Sequence, residues 1–360
     1  MRTRIALILA IGSIALNSTE GAAAKPRVYW GALVDGQVPA AAAFRPGGAF
    51  ATFERQAGRR MSLVHWGQPW TANGRYYSFP RAEMRAVRRH GSIPVLNWAS
   101  WNLGAGAVQP HFRMKDIVAG TFDGYIATWA RQAKAWGHPF MLRFNHEMNG
   151  WWYPWGVGLD AGGRPVNGNT PRDFVRAWRH VHRIFDRVGA RNVTWVWTPN
   201  IQSDSPRYLR LSRMYPGRRY VDWVGLSGYN RGDDWLSAMS LFTGRGTTYL
   251  ENTYRQLRRI APRKPVMLAE TGSVEAGDGG ARKAAWIRKL LRRTVPKRLK
   301  AVKAVMWFDW AIAPWTTMPI ASSTAARAAF ARSIASPRYA GNRYRRLSRS
   351  PIPPPGRLRR

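Results

Sequence analysis

Short apolar runs alternate with longer amphipathic segments along most of this chain. The short runs are continuously apolar, which is typical of strands buried on both faces of a parallel sheet. The predicted strands span residues 27–34, 62–66, 93–98, 140–147, 192–197, 221–226, 265–270 and 301–307. The predicted helices span residues 44–60, 80–90, 122–136, 170–188, 248–260, 280–294 and 323–334. Eight strands alternating with helices predict an α/β fold, a closed (β/α)8 TIM barrel formed by a single domain.

The first 24 residues have the pattern of a secretory signal peptide. Arg2 and Arg4 precede an apolar run over residues 5–16, and the small residues 21–24 follow it. A basic start, a short apolar middle and a small-residue cleavage zone are the three parts of such a signal. We expect cleavage near Ala24 and secretion, with a retained membrane anchor as the alternative. No later apolar run is long enough to predict a transmembrane span.

The remaining chain divides into a barrel domain over residues 25–336 and a tail over residues 337–360. The chain contains no cysteine, so the domain depends on a large apolar core rather than on disulfides. The tail is rich in arginine and proline and offers few apolar groups, which predicts disorder. We expect a monomer.

The formal charge is +38, from 57 Lys and Arg against 19 Asp and Glu. Such a charge either attracts a polyanion or belongs to an arginine-rich solvated surface, and electrostatic adhesion to anionic cell-surface polymers is expected in both cases. No motif indicates specific recognition of nucleic acid.

Two carboxylates follow apolar runs and are the candidate catalytic residues. Glu147 lies in a segment with a histidine, an amide and several aromatic residues, and Glu270 ends the seventh predicted strand. Glycoside hydrolysis needs such a pair, one acid to protonate the leaving oxygen and a second to attack the anomeric carbon or activate water. The alternative for Glu147 is a structural ion pair with Arg143, although Arg143 would suit a nucleophile better, since it would lower the pKa of the carboxylate beside it.

The other motifs do not indicate a cofactor or metal. Residues 156–161 match the dinucleotide pattern formally, but they follow a loop and no helix opens after them. His146 and Glu147 lack the second histidine of a zinc helix. Side-chain alternation in the fourth strand would place Glu147 on one face and His146 on the other, so His146 would enter the cleft through a bulge or lie behind it.

The segment His146–Trp155 resembles the acid/base signature of glycoside hydrolase family 26, the β-mannanase family of a retaining barrel clan. Leu268–Gly272 resembles the nucleophile strand of that family, and Gly225–Asn230 resembles the segment whose tyrosine hydrogen-bonds the nucleophile. Trp307 falls where an eighth-strand tryptophan forms the sugar platform. The resemblance covers residues 28–334.

This resemblance implies that Glu147 is the general acid and then the general base, and that Glu270 is the nucleophile. The expected substrate-binding residues are His146, which contacts sugar hydroxyls or orients the catalytic groups, Trp152 and Trp307, which stack on sugars, Tyr229, which positions Glu270, and the strand-end residues Asn97 and Trp98.

The resemblance, together with the signal-peptide pattern, therefore implies a secreted, endo-acting, retaining β-glycoside hydrolase that acts on a polysaccharide, with endo-β-1,4-mannanase as the leading activity. The alternatives are a hydrolase of β-1,3-xylan, of mixed-linkage β-glucan or of an anionic polysaccharide, and a non-catalytic or weakly catalytic barrel that binds polysaccharide or cell wall. The loops that select among these substrates, residues 151–169 and 232–246, match no assignable pattern.

Overall fold

A computed structural model describes residues 27–357 of the chain, except residues 204, 206 and 233. The signal-peptide prediction for residues 1–24 lies outside the described residues. Within the part that is described, no helix is both long and apolar enough to cross a membrane.

Eight parallel strands form a closed barrel, which confirms the predicted (β/α)8 fold. The first strand pairs with the second through Gly31 and Leu63, and with the last through Tyr29 and Ala304, so the sheet has no free edge. The barrel strands are β1 (Tyr29–Val34), β2 (Leu63–Ala72), β3 (Ile93–Asn102), β4 (Phe140–Phe144), β5 (Val193–Trp197), β6 (Trp223–Asn230), β7 (Val266–Ser273) and β8 (Val302–Asp309). A two-residue antiparallel strand, Arg75–Tyr76, extends β2 into a hairpin.

The helices surround the barrel and lie close to the predicted positions. They are α1 (Ala49–Ala57), α2 (Arg81–His90), α3 (Met114–Val118), α4 (Asp123–Trp136), α5 (Pro171–Val188), α6 (Ala238–Thr243), α7 (Thr253–Ile260), α8 (Ala281–Lys289) and α9 (Thr324–Ile334). The predicted start of α5 is a capping box, in which the Thr170 hydroxyl accepts from the backbone N–H of Asp173 at 3.1 Å. The short helices α3 and α6 were not predicted.

The core has two layers, because successive side chains of a strand face opposite sides of the sheet. Side chains of one parity, such as Met141 and Met306, fill the barrel interior. Side chains of the other parity, such as Leu142 and Trp307, pack against the helices. Polar side chains collect at the carboxyl ends of the strands, which is where this architecture places active sites.

The tail covers the opposite end of the barrel, so the prediction of disorder is wrong for residues 337–357. The indole N–H of Trp223 donates to the carbonyl of Ile352 at 2.8 Å, and the backbone N–H of Ile352 donates to Thr194 Oγ1 at 2.8 Å. The Tyr29 hydroxyl donates to the carbonyl of Pro353 at 2.9 Å. Ile352 is 1% exposed. The tail has few apolar residues, but they cover large side chains that begin the strands, which average composition does not reveal.

Candidate active site

A cleft of about 720 Å³ opens at the carboxyl ends of the strands, and both Glu147 and Glu270 line it. Its walls are largely aromatic, a surface suited to the flat apolar faces of sugar rings. The aromatic residues that line it are Trp151, Trp152, Tyr153, Tyr208, Tyr229, Tyr249, Phe308, Trp310 and Trp315.

The chain turns sharply where Glu147 enters the cleft. Strand β4 ends at Phe144, and the backbone of Asn145 and Glu147 adopts φ angles of 45° and 55°. The N–H of Glu147 donates to the carbonyl of Thr198 at 2.7 Å, which ties this turn to the end of β5. The prediction of a strand extending to residue 147 is therefore wrong, and the alternation of a strand does not apply to residues 145–147. Left-handed backbone at non-glycine residues is uncommon and clusters at functional sites.

Three neighbouring side chains hold the carboxylate of Glu270. Arg143 Nη1 donates to Oε1 at 2.6 Å, Asn97 Nδ2 donates to the same oxygen at 3.3 Å, and the Tyr229 hydroxyl donates to Oε2 at 2.5 Å. The hydrogen bond implied for the sixth-strand tyrosine is therefore present. Arg143 pairs with Glu270 rather than with Glu147, so the alternative of a structural ion pair between Arg143 and Glu147 is wrong.

Burial alone would raise the pKa of Glu270, but the Arg143 guanidinium holds that pKa well below its usual range. His65 lies 3.9 Å from Oε1 and accepts from Arg143 at its Nε2 over 3.0 Å. Because arginine only donates, Nε2 of His65 carries no proton in this contact. Burial and Arg143 lower the pKa of His65 to about 4, so this ring is neutral near pH 7 and the positive charge beside Glu270 is that of Arg143.

Glu147 has the opposite electrostatic environment. Burial raises its pKa, the negative charge of Glu270 raises it further, and the nearby Ser227 hydroxyl, Arg143 and Trp152 oppose this shift. Trp152 donates from its indole N–H to Glu147 Oε2 at 2.9 Å, a contact additional to the stacking role implied for it. One carboxyl group of the cleft therefore favours the protonated form and the other is held ionised, the division expected of a general acid and a nucleophile.

His146 lies behind the cleft and does not line it. Its ring packs against Tyr153 and Trp155, with centroids 5.0 and 5.8 Å away, and the side chain is nearly buried. Burial and Arg143 lower its pKa to about 3. A neutral ring in this position supports the aromatic loop that carries Trp152.

The structure corrects two of the predicted substrate-binding residues. Trp98 is fully buried and stacks on Trp129 with the ring centroids 4.6 Å apart. Trp307 is 1% exposed and packs against Phe330 at 5.4 Å. Both face the helices because their strand neighbours, Asn97 and Phe308, face the barrel axis. Adjacent residues of a strand cannot both face the cleft.

Several site residues were not singled out by the sequence. His65 ends up beside the carboxylate of Glu270, although only its place near the end of an apolar run distinguishes it. Trp310 and Trp315, which follow β8, line the cleft in place of Trp307. Asn200 lines the cleft, and its buried Nδ2 has no hydrogen-bond partner among the described residues.

A buried lysine on α8 holds the loop that follows β8. Lys283 Nζ donates to the carbonyls of Thr317 at 2.5 Å, Met318 at 3.1 Å and Pro319 at 2.8 Å, and to the hydroxyl of Ser322 at 2.8 Å. Because the same loop carries Trp315 and Met318 into the cleft, Lys283 fixes one wall of the site.

No group of three or more His, Cys, Asp and Glu side chains is placed to hold a metal ion among residues 27–357, the three omitted positions aside.

A family model for glycosyl hydrolase family 26 matches residues 97–254. The chain is 32% identical over 272 residues to endoglucanase H of Acetivibrio thermocellus, a match covering 73% of this chain and 27% of the relative. It is 27% identical over 230 residues to mannan endo-1,4-β-mannosidase A and B of Caldalkalibacillus mannanilyticus, covering 63% of this chain and 36% of the relative. The chain thus spans about a third or less of the length of these relatives.

Solved structures share the fold. The catalytic domain of the Bacillus sp. JAMB-750 family 26 endo-β-1,4-mannanase superposes with a TM-score of 0.60 at 16% identity, covering 89% of this chain and 91% of that one. At this identity the likeness shows the architecture alone.

Proposed function

Because this chain belongs to glycosyl hydrolase family 26, we propose that it is a secreted, endo-acting, retaining β-glycoside hydrolase with β-1,4-mannan as its leading substrate. One observation carries the proposal. Two buried carboxyl groups line one cleft, and their surroundings favour the protonated form of Glu147 and the ionised form of Glu270. A double displacement needs these two forms at its start.

In the first step, Glu270 attacks the anomeric carbon while Glu147 gives its proton to the departing glycosidic oxygen. The bond from the anomeric carbon to that oxygen breaks, and a glycosyl ester with Glu270 forms. Tyr229 and Arg143 each donate to one oxygen of Glu270, so they orient the carboxylate for attack. As the charge of Glu270 disappears in the ester, the pKa of Glu147 is no longer raised by it.

In the second step, Glu147, now ionised, accepts a proton from water, and the resulting hydroxide displaces Glu270 from the anomeric carbon. The lower pKa of Glu147 at this stage suits a general base. Two displacements at the same carbon give a product with the configuration of the substrate.

The cleft supplies surfaces that suit a chain of neutral sugars. Trp315 and Trp310 present aromatic rings on the wall formed after β8, and Trp151 and Trp152 present rings on the wall formed after β4. Asn200 also lines the cleft. A cleft with two aromatic walls favours internal binding of a polymer, which supports the endo mode.

A hydrolase of β-glucan is the second candidate. The relative matched at 32% identity bears the name endoglucanase, whereas the relatives that bear the name mannosidase match at 27% to 30%. We retain mannan as the leading substrate because several of the matched relatives bear that activity in their names.

The decisive experiment measures reducing-sugar release from mannan, mixed-linkage β-glucan, β-1,3-xylan and a carboxylated polysaccharide. The wild type should act best on mannan, and Glu147→Gln and Glu270→Ala should each lower kcat by about 100-fold to 10,000-fold or more. Glu83→Gln, on α2 and outside the cleft, serves as the matched control and should retain the wild-type rate. Equal release by the wild type and both cleft variants would reject the hydrolase.

The same enzyme tests the stereochemistry. The first product observed by proton NMR should be the β-anomer, and initial formation of the α-anomer would reject the double displacement.

Export is tested separately. Expression of the full chain in a bacterial host should give extracellular protein that begins near residue 25, and replacing Leu7 and Leu9 with Arg should retain the protein inside the cell.

A further inference from the structure

The tail residues 337–357 form a fixed cover on the pole of the barrel opposite the cleft. Besides the contacts of Ile352 and Pro353, the Tyr339 hydroxyl donates to the carbonyl of Leu291 at 2.6 Å, and the N–H of Tyr344 donates to the carbonyl of Gly91 at 2.7 Å. Arg88 donates to the carbonyl of Leu347 at 3.0 Å. The tail is therefore anchored along its length, at its beginning, middle and end.

The side chains that this cover leaves facing solvent are strongly basic. No Asp or Glu follows Asp309 in the sequence, so no acidic side chain within residues 337–360 offsets the charge of the tail. The arginines of the described tail are Arg338, Arg343, Arg345, Arg346, Arg349 and Arg357. All of them except the half-buried Arg338 are exposed. Folding thus converts a flexible basic sequence into a cationic surface of fixed shape.

The tail also lies against basic residues of the barrel itself. Lys303, at the start of β8, has a pKa lowered by burial and by the charges of Arg27, Arg357 and Arg338 around it. Arg343 lies close to Arg59, and Arg345 lies close to Arg88. The fold gathers like charges here, and their mutual repulsion is relieved when a polyanion binds.

The chemistry of this pole selects among polyanions. Of the described residues, the exposed large hydrophobic side chains are Val38, Tyr76, Tyr77, Leu103, Val108 and Ile312, and none is in the tail. The tyrosines of the tail, Tyr339 and Tyr344, pack inward against the barrel. Among residues 27–357, the pole therefore shows no apolar anchor for a membrane and no exposed aromatic platform for bases. Exposed guanidinium groups bind carboxylates, and equally phosphates, through two parallel hydrogen bonds, so the missing platform for bases and the missing apolar anchor are what favour a polysaccharide over nucleic acid and membrane.

We propose that the tail-covered pole of the barrel, carrying Arg343, Arg345, Arg346 and Arg349, is a binding surface for a carboxylated polysaccharide. The cleft lies at the opposite pole, so a molecule held by this surface presents its cleft away from the polymer, toward the surrounding material. The proposal stands apart from the catalytic one, since it requires neither Glu147 nor Glu270.

The test compares binding of full-length proteins to immobilised polygalacturonate at low salt. The variant R343Q/R345Q/R346Q/R349Q should bind at least about tenfold more weakly than the wild type, since four exposed ion pairs of small individual strength are removed together. The matched control removes the same number of exposed arginines from the outer helices, as R131Q/R172Q/R176Q/R255Q, and should lose at most about threefold. Both variants should retain the wild-type melting temperature, because none of the replaced guanidinium groups of the tail anchors it.

Equal losses in the two variants would overturn the proposal, because the attraction would then come from the net charge of the whole molecule. Tighter binding of the wild type to double-stranded DNA or to phosphatidylglycerol vesicles than to polygalacturonate would overturn the assigned partner. An inactive wild type that still shows the tail-dependent binding would reject the hydrolase and leave this surface supported.

Discussion

Arg143 and Glu270 form a buried ion pair across the barrel mouth, with 2.6 Å between Arg143 Nη1 and Glu270 Oε1. The two residues lie on strands β4 and β7, far apart in the chain. Arg143 is 0% exposed and Glu270 is 5% exposed. The pair keeps Glu270 ionised in a place where burial alone would protonate it, so it sets the form of the proposed nucleophile.

Replacing Arg143 with Met should raise the pKa of Glu270 and move the acid limb of kcat/KM to higher pH. It should also lower the free energy of unfolding by about 3–5 kcal/mol near pH 7, because it leaves a buried carboxylate without its partner. The depressed pKa of Glu270 contributes stability above the unfolded pKa of a glutamate, and this contribution is lost as the pH falls through the folded pKa. The stability difference from the wild type should therefore shrink below about pH 4.

Urea unfolding at several pH values and a pH–rate profile measure these effects. Arg143→Lys is the matched control, since it keeps the charge but not the planar fork, and it should show a smaller loss of stability. An acid limb of Arg143→Met at the same pH as in the wild type would contradict the assigned role.

Replacing Trp152 with Phe should move the alkaline limb of kcat/KM to higher pH. The indole N–H of Trp152 donates to Glu147 and so favours the ionised carboxylate, and its removal raises the pKa of Glu147. Glu147 then keeps the proton needed for the first step up to a higher pH. Trp151→Phe, in the same loop, is the control and should leave the limb in place. A shift of the alkaline limb to lower pH in Trp152→Phe would contradict the assigned effect of this hydrogen bond on the pKa of Glu147.

Replacing Lys283 with Met should loosen the cleft wall formed after β8. The change removes a donor from three carbonyls. Those of Met318 and Pro319 keep the indole N–H of Trp307 and the backbone N–H of Ser322, whereas that of Thr317 loses its donor, which costs about 1–3 kcal/mol when it stays unsatisfied. We expect a lower melting temperature and a higher KM with a smaller change in kcat, because the loop carries Trp315 rather than a catalytic group. Lys289→Met, exposed on the same helix, should change neither value. A Lys283→Met enzyme with the wild-type KM would show that the loop holds its shape without the lysine.

Substitutions of Trp307, within β8, and of Trp315, in the loop after it, should have different effects, one on stability and the other on substrate binding. Trp315→Ala should raise KM for a polymeric substrate with little change in unfolding free energy, because its ring lines the cleft. Trp307→Ala should lower the unfolding free energy by about 3–5 kcal/mol, because its ring is in the core. Substrate kinetics and calorimetry on the same preparations measure both. The reverse outcome would restore Trp307 as the sugar platform.

The packed tail should contribute to the stability of the barrel. Ile352→Ala should lower the unfolding free energy by about 2–4 kcal/mol, because the side chain is fully buried at the barrel base. Leu103→Ala, where the side chain is 50% exposed, should stay within about 0.5 kcal/mol of the wild type. Chemical denaturation measures both, and equal effects would mean that the tail does not stay on the barrel in solution.

The sequence predicted the elements closely but their ends less well. Apolar runs of strand length and capping signals such as Thr170 are local, so the barrel followed from their order. The turn at residues 145–147 depends on hydrogen bonds to Trp98, on β3, and to Thr198, directly after β5. The prediction from sequence therefore made strand β4 three residues too long.

By itself, the sequence determined the barrel, the two candidate catalytic glutamates and the family that these residues resemble. Periodicity and motif order are properties of neighbouring residues, and they persist whatever the rest of the chain does. Only the tertiary structure decided that Arg143 pairs with Glu270, that Trp98 and Trp307 turn to the helices, and that the basic tail covers the barrel base. These outcomes depend on strand register and on distances between residues far apart in the chain, where a shift of one residue moves a side chain from the cleft to the core.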